Sequence, residues 1–299
     1  DLALVVIDEQ QRFGVVQRNL ILSGNKTVPH YLSLSATPIP RSLAHVVFQN
    51  CDLSVIKQKP KGRARVKTYL VPEAKRFDSY KFINSLLEKG QQAFVICPLI
   101  NPNDLTTEKK SVELEKNKIE KIFNRRKIGV LHGRLSSSEK IKVMTEFKDK
   151  LIDILVCTSL VEVGIDVPNA TVMVIEDADS FGLSQLHQFR GRVGRGKLSS
   201  YCLIFSNKLA NVKTKQRLSA FVRSDDGFEL ANQDLILRGP GAFFDQEQSG
   251  FHGINPLWFE DSSLLKDAIR MSKKISLELD SYTHLKKIIL DNSKIDRLE

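Results

Sequence analysis

The apolar positions of this chain fall into two rhythms. Short unbroken runs of branched residues alternate with longer stretches of helical spacing. Leu2–Ile7, LALVVI, is continuously apolar and reads as a parallel strand buried on both faces. Tyr31–Ser35 is a second apolar strand; Pro38 and Pro40 close it and open a helix expected to reach about Gln49. From Val66 the alternation is regular. Strands are expected at Val66–Val71, Ala93–Pro98, Ile128–His132, Ile152–Cys157, Thr171–Glu176 and Tyr201–Phe205. Helices are expected near 76–89, 112–125, 136–149 and 181–193, with Ser136 and Glu139 at capping-box spacing. The polar stretch Asn101–Lys110 between them reads as a loop. Such alternation builds an α/β doubly wound parallel sheet. After Phe205 the pattern turns helical, over 208–222 and near 228–235. Gly239-Pro240-Gly241 then forces a loop, and lysine-studded amphipathic helices such as Leu264–Ile275 follow. The expected division is 1–56, the end of one α/β lobe; 57–207, a complete second lobe; and 208–299, a helical hairpin and C-terminal helical region.

Composition narrows the partners. The chain has 299 residues, 41% apolar and 27% charged, ordinary for a soluble globular protein. Its net charge of +10 points to a polyanionic partner, most often nucleic acid. Cys51, Cys97, Cys157 and Cys202 are widely spaced and no pair has metal-ligand spacing. The last three sit in apolar strands, so they read as reduced core thiols in a cytoplasmic protein. No apolar run approaches the roughly 18 residues that span a bilayer, so no membrane is expected. The chain opens on Asp1 within a strand pattern and is expected to be a fragment of a longer protein.

The candidate chemistry lies mostly at strand ends, where α/β folds bind ligands. Asp8-Glu9 follows the first strand; one carboxylate suits Mg²⁺ and the next an attacking water. Ser35 and Thr37 lie in SATPIPR after the second strand. Thr158, Ser159 and Gly164 lie in TSLVEVGIDVP, where backbone amides and hydroxyls suit a nucleic-acid phosphate. Asp166 of the same string suits a ribose hydroxyl or an arginine. His132-Gly133-Arg134 leaves a neighbouring strand, and His132 reads as an ordinary core or turn histidine. Lys57–Lys67 carries cations on alternate positions; a solvated linker explains it equally well. Gln185–Gly196, QLHQFRGRVGRG, is the densest signal. Leu186, Phe189 and Val193 share one stripe, so a helix hands Arg190, Arg192 and Arg195 to a ligand with several phosphates.

DEQQ, SATPIPR, TSLVEVGIDVP and QLHQFRGRVGR, in this order on strand ends, resemble the superfamily-2 helicases. DEQQRFG at the start, with LRGPG and QSG after the arginines, resembles the RecG family of branch-migrating DNA helicases over essentially the whole chain. Transcription-repair coupling translocases share DE-x-x-RFG and TPIPR; Pro240 leans towards the RecG family. The resemblance implies RecA-like lobes, one complete and one represented by its end, with ATP and Mg²⁺ as cofactors. Asp8 would hold Mg²⁺ and Glu9 activate water. Ser35 and Thr37 would couple nucleotide state to DNA grip, and Thr158, Ser159 and Gly164 would touch DNA. Asp166 would lie near the nucleotide, Gln188 would position phosphates, and Arg192 and Arg195 would be arginine fingers. Arg217, Arg238 and Gln248 fall where that family couples the motor to duplex DNA. The implied partner is branched DNA, engaged by a monomer with a further lobe and a wedge domain upstream.

Two departures qualify the transfer. No G-x-x-x-x-G-K-[ST] loop occurs, and Gly24-Asn25-Lys26-Thr27 has the wrong spacing, so negligible ATPase activity is expected of this stretch by itself. Asp245-Gln246-Glu247 stands where the family carries Gly-Thr-Arg, which places an acid beside DNA. A non-catalytic DNA-binding module is the alternative. The pairing of Asp8-Glu9 with Arg192 and Arg195 argues against it.

Overall fold

This computed structural model describes residues 2–9, 29–35, 52, 54–56, 58, 65–98, 105–158, 166–238 and 262–295, and two separate parallel sheets carry the strands among them. The chain divides into two units, Asp1–Pro38 with Val55–Asp234, and Ile39–Ser54 with Leu235–Glu299.

In the smaller sheet β1 (Leu4–Asp8) pairs with β2 (His30–Leu34), Leu4 opposite His30 and Asp8 opposite Leu34. Burial follows the pleat: Val5 and Ile7 are buried, whereas Leu4 and Val6 are 56% and 52% exposed. The expectation that Leu2–Ile7 is buried on both faces therefore fails. Leu2, Leu4 and Val6, with Leu32 and Leu34 beside them, form an open apolar face.

The larger sheet holds β3 (Lys67–Leu70), β4 (Gln92–Ile96), β5 (Ile128–Leu131), β6 (Ile154–Cys157), β7 (Ala170–Ile175) and β8 (Tyr201–Ile204). Its order is β3-β8-β7-β4-β6-β5, with every ladder parallel. Each strand expected from the sequence is present. The central strands β4, β6 and β7 are buried along their length, as their continuous apolar runs require.

Alternate residues of these strands feed two cores. Phe94, Ile96, Leu155, Met173 and Ile175 pack with α3 (Ser137–Lys148), α4 (Leu183–Arg190) and α5 (Val212–Arg223). Ala93, Val95, Val156, Val172 and Val174 pack with α1 (Arg76–Glu88) and α2 (Leu105–Ile122) on the other face. The capping box at α3 is made: Ser136 Oγ accepts from Glu139 N at 3.3 Å, and Glu139 Oε2 accepts from Ser136 N at 2.8 Å. Of the loop expected over 101–110, residues from Leu105 onward are the first turns of α2, because a run rich in Glu and Lys extends the helix. The helix expected from 208 starts at Val212, where Asn211 Oδ1 caps Thr214 N at 3.2 Å. α6 (Gly227–Arg238), α7 (Ser262–Leu277) and α8 (Thr283–Ile295) complete the described helices.

Cys97, Cys157 and Cys202 are free and buried, as expected. The helix expected to Gln49, most of 57–67, and 239–250 lie outside the described residues. Among the described residues, no helix is long and apolar enough to cross a membrane.

Candidate functional site

The parallel ladder fixes the ends of β1 and β2 side by side. Asp8 closes β1, and Glu9 N donates to Leu34 O at 2.9 Å. Glu9 adopts φ 52°, a left-handed conformation that turns the chain sharply off the strand. Ser35 follows Leu34 directly. The acidic pair and the first residue of SATPIPR thus share one sheet edge, with the Asp8 residue exposed and Glu9 half-buried. One or two carboxylates completed by phosphates and water is how Mg²⁺ is usually held, and this edge supplies them. Among the described residues, no group of three side chains forms a metal cage. Thr37 lies outside the described residues.

A second group of expected residues lies at the end of β6 and along α4, and of these Asp166 and Arg195 meet. Thr158 is fully buried at the end of β6. Ser159 and Gly164 lie outside the described residues, and the chain is described again from Asp166. α4 forms as its spacing requires: Leu186, Phe189 and Val193 are all buried on one stripe. Gly191 N donates to His187 O at 2.9 Å and Arg192 N to Phe189 O at 3.0 Å, which closes the helix. Gly194 then takes φ +75°, where a side chain would be strained. The turn brings Arg195 Nη1 to 3.4 Å from Asp166 Oδ1, while Arg195 Nε donates to Gly191 O at 3.4 Å. Gly196 sits so close to Pro168 that an added Cβ would stand 2.9 Å from its carbonyl oxygen. The loop after β6 and the loop after α4 therefore touch. Of the two partners suggested for Asp166, the arginine is the one it meets here. Gln188, in the last turn of α4, and Arg192 just beyond it are half-buried.

Arg190 corrects the sequence reading. Spacing made it one of three arginines offered to phosphates, but it is only 4% exposed. Its Nη1 donates to Phe221 O at 3.0 Å and its Nη2 to Ser224 O at 2.9 Å, with Asp225 Oδ1 at 3.3 Å. Its guanidinium also stacks over the Phe221 ring at 4.3 Å. Burial lowers its pKa from the ordinary guanidinium value, with the Asp225 charge working in the opposite direction. The rigid fork is spent on backbone carbonyls, because Arg190 faces the core on the stripe side of α4.

Arg217, on α5, is also buried. Its Nη1 donates to Phe181 O at 2.7 Å and its Nη2 to Asp179 O at 2.5 Å, on the segment leading into α4. The Arg238 side chain and Gln248 lie outside the described residues.

One buried cluster escaped the sequence reading. Glu176, at the end of β7, accepts from Arg76 Nη1 at 2.8 and 2.9 Å, and Tyr80 Oη lies 3.0 Å from the same nitrogen. Burial opposes the Arg76 charge, yet hydrogen bonds to Tyr80 and Glu176 and the Glu176 charge raise its pKa overall. Burial, and then the Glu176 charge, raises the Glu115 carboxyl. Burial pushes Cys97 and Cys202 up to about 12, so these thiols are inert at neutral pH. The only signal in the sequence was an acid closing a fully apolar strand.

Comparison with known proteins places this geometry. Residues 78–197 match the helicase conserved C-terminal domain. The chain is 45% identical to an ATP-dependent DNA helicase RecG of Aquifex aeolicus, over 97% of this chain and 38% of the relative. It is 49% identical to the Synechocystis sp. protein of the same name, over 83% of this chain and 30% of the relative. A solved structure of RecG bound to a three-way DNA junction matches with TM-score 0.70 and 39% identity, over 91% of this chain and 33% of that chain. The chain thus spans less than half the length of these relatives. The parallel sheet with helices on both faces is the RecA-like second lobe of a helicase motor. Over the residues it shares with these proteins, the chain is similar to the ATP-dependent DNA helicases named RecG.

Proposed function

We propose that this chain is the C-terminal motor part of an ATP-dependent helicase that moves on duplex DNA and remodels branched structures such as forks and Holliday junctions. The observation that carries the reading is the contact between Asp166 and Arg195 at 3.4 Å, which joins the ends of two of the four helicase strings in one place. The relative solved on a three-way junction supports branched DNA as the partner. The coupling-translocase and DNA-binding-module readings are not favoured, because the curated relatives carry the RecG name.

In this reading ATP binds between the edge carrying Asp8 and Glu9 and the turn carrying Arg192 and Arg195. Asp8 would hold Mg²⁺, which would supply positive charge against the nucleotide's phosphates. Glu9 takes the proton of the attacking water, and Gln188 orients the phosphates. Arg192 and Arg195 meet charge that grows on the γ-phosphate, an effect worth ~10³–10⁵ in rate for such fingers. Asp166 holds the ribose or releases Arg195 as nucleotide enters. Ser159 and Gly164 contact the DNA backbone, while Thr158, fully buried where β6 ends, anchors the start of their loop instead of touching DNA; Ser35 and Thr37 link that grip to the nucleotide. Arg217, Arg238 and Gln248 pass motor movement on to the duplex. The working protein is a cytoplasmic monomer with a further motor lobe and a wedge domain upstream.

The test is ATP hydrolysis with and without forked DNA, for this stretch and for the full-length helicase with its G-x-x-x-x-G-K-[ST] loop. DNA-stimulated turnover is expected only in the longer protein. Turnover by this stretch at the full-length rate would overturn the assignment. With a net charge of +10, DNA affinity is also expected to fall steeply between low and moderate salt.

A further inference from the structure

The C-terminus of α5 gathers two arginines from distant parts of the sequence. Arg190 reaches the carbonyls of Phe221 and Ser224 and the Oδ1 oxygen of Asp225. The other carboxylate oxygen, Oδ2, lies 2.5 Å from Arg65 Nε, and Arg65 Nη2 donates to Arg223 O at 3.3 Å. Arg190 Nη1 also lies 3.5 Å from Thr68 Oγ1 on β3. The last carbonyls of a helix are unpaired acceptors carrying partial negative charge, so cations are favoured there. Three acceptors of the helix end and one carboxylate are here shared between the two guanidinium groups.

The two arginines come from meaningful places. Arg65 stands where the chain enters the larger sheet at β3. Arg190 is the last residue of α4, immediately before the turn that carries Arg192 and Arg195. A guanidinium fork held at two carbonyls and a carboxylate leaves little rotational freedom to that helix end. The turn beyond it contains Gly191 and Gly194 and has little stiffness of its own.

We propose that Arg190 and Asp225 are positioning residues for ATP hydrolysis: they clamp the end of α4 to α5 and β3 and so fix where Arg192 and Arg195 stand. The proposal rests on the reading of Arg192 and Arg195 as the groups that meet the nucleotide.

The experiment is steady-state ATP hydrolysis by the full-length helicase on forked DNA, together with its melting midpoint. The variants are Arg190→Lys and Asp225→Asn, each alone and combined with Arg192→Ala. Lysine keeps the charge but cannot span two carbonyls and a carboxylate. Arg190→Lys is expected to lower kcat on the order of 10–100-fold, the cost of a misplaced catalytic group. KM for ATP is expected to change little, because the clamp touches no substrate. Asp225→Asn keeps the shape of the side chain and gives a smaller fall in the same direction. In the Arg192→Ala background, Arg190→Lys adds a smaller further loss, since only Arg195 is left to misplace. An unchanged kcat in Arg190→Lys overturns the proposal, as does an equal loss in both backgrounds. So does a loss of kcat that tracks a fall in melting midpoint in both Arg190→Lys and Asp225→Asn. If Arg192→Ala and Arg195→Ala themselves leave kcat intact, the nucleotide reading fails and this proposal falls with it.

Discussion

The guanidinium of Arg195 meets the carboxylate of Asp166 at 3.4 Å, joining two loops that the sequence separates by a strand and a helix. Both side chains are partly exposed, so water screens the pair and it adds at most about 1 kcal/mol to stability. Its value lies in where it holds Arg195. Asp166→Asn is expected to leave the melting midpoint unchanged. Arg195→Ala is expected to cut DNA-stimulated ATP hydrolysis of the full-length helicase by ~10³-fold or more. Parallel melting and turnover measurements check both; a neutral Arg195→Ala would remove the finger assignment.

Gly196 carries a matching steric constraint. A methyl group there would stand 2.9 Å from the Pro168 carbonyl oxygen, a backbone atom that cannot swing aside. Gly196→Ala is expected to cost about 1–3 kcal/mol of stability by overpacking and to depress turnover by parting the two loops. Gly90 is the control: it has φ +73° but open space around it. Gly90→Ala is expected to cost about 1–2 kcal/mol by conformation alone, with turnover unaffected.

The Arg76–Glu176 pair tests the other core. Glu176→Ala leaves a buried guanidinium without its carboxylate, and a loss of about 3–5 kcal/mol is expected from such a break. Replacing both partners, as in Arg76→Met with Glu176→Leu, is expected to cost less than the single change. Chemical denaturation of the two variants beside the unaltered protein checks the order. A double replacement as costly as the single one would mean that the network, rather than the stranded charge, sets the loss.

Asp179 gives a pH signature. Burial works to raise its pKa, but the hydrogen bond from Ser206 at 2.6 Å and the Lys208 charge at 3.0 Å bring it below the ordinary value. A depressed folded pKa adds stability above the unfolded value, about 3.9, and loses it as pH falls through the folded pKa. Asp179→Asn is therefore expected to lower the melting midpoint at pH 7. The gap to the unaltered protein should start to narrow below about pH 4 and go on narrowing as pH falls through the folded pKa. A gap of the same size at every pH would mean that shape, not charge, carries the contact.

Much of the fold was legible because strands buried on both faces write their burial directly into sequence. Ala93–Pro98, Ile152–Cys157 and Thr171–Glu176 were such runs, and their central positions make β4, β6 and β7 the interior of the sheet. The stripe Leu186, Phe189 and Val193 likewise named its own helix face. The same logic misled at Leu2–Ile7, where an unbroken apolar run has one face in solvent. Spacing says which face a residue takes, but not what waits there. Arg190, Arg192 and Arg195 look alike in sequence; only the distant carbonyls of Phe221 and Ser224 set the first apart. The Arg76–Glu176 contact was illegible for the same reason, since its partners lie on separate elements. Among the expected site residues, Asp8, Glu9 and Ser35 share one edge, and Asp166 and Arg195 share another place.

The order β3-β8-β7-β4-β6-β5 has a consequence for how this lobe is made. Its first strand, β3, finds its ladder only on its last, β8, with Leu70 opposite Ile204. A ribosome that has delivered β3 through β7 has delivered a sheet edge without a partner and a stray strand without a sheet. The ladder can be completed only once Tyr201–Ile204 is available to stand between them. Synthesis stalled or clipped before that point would yield a sticky half-product for chaperones and proteases rather than a smaller working motor.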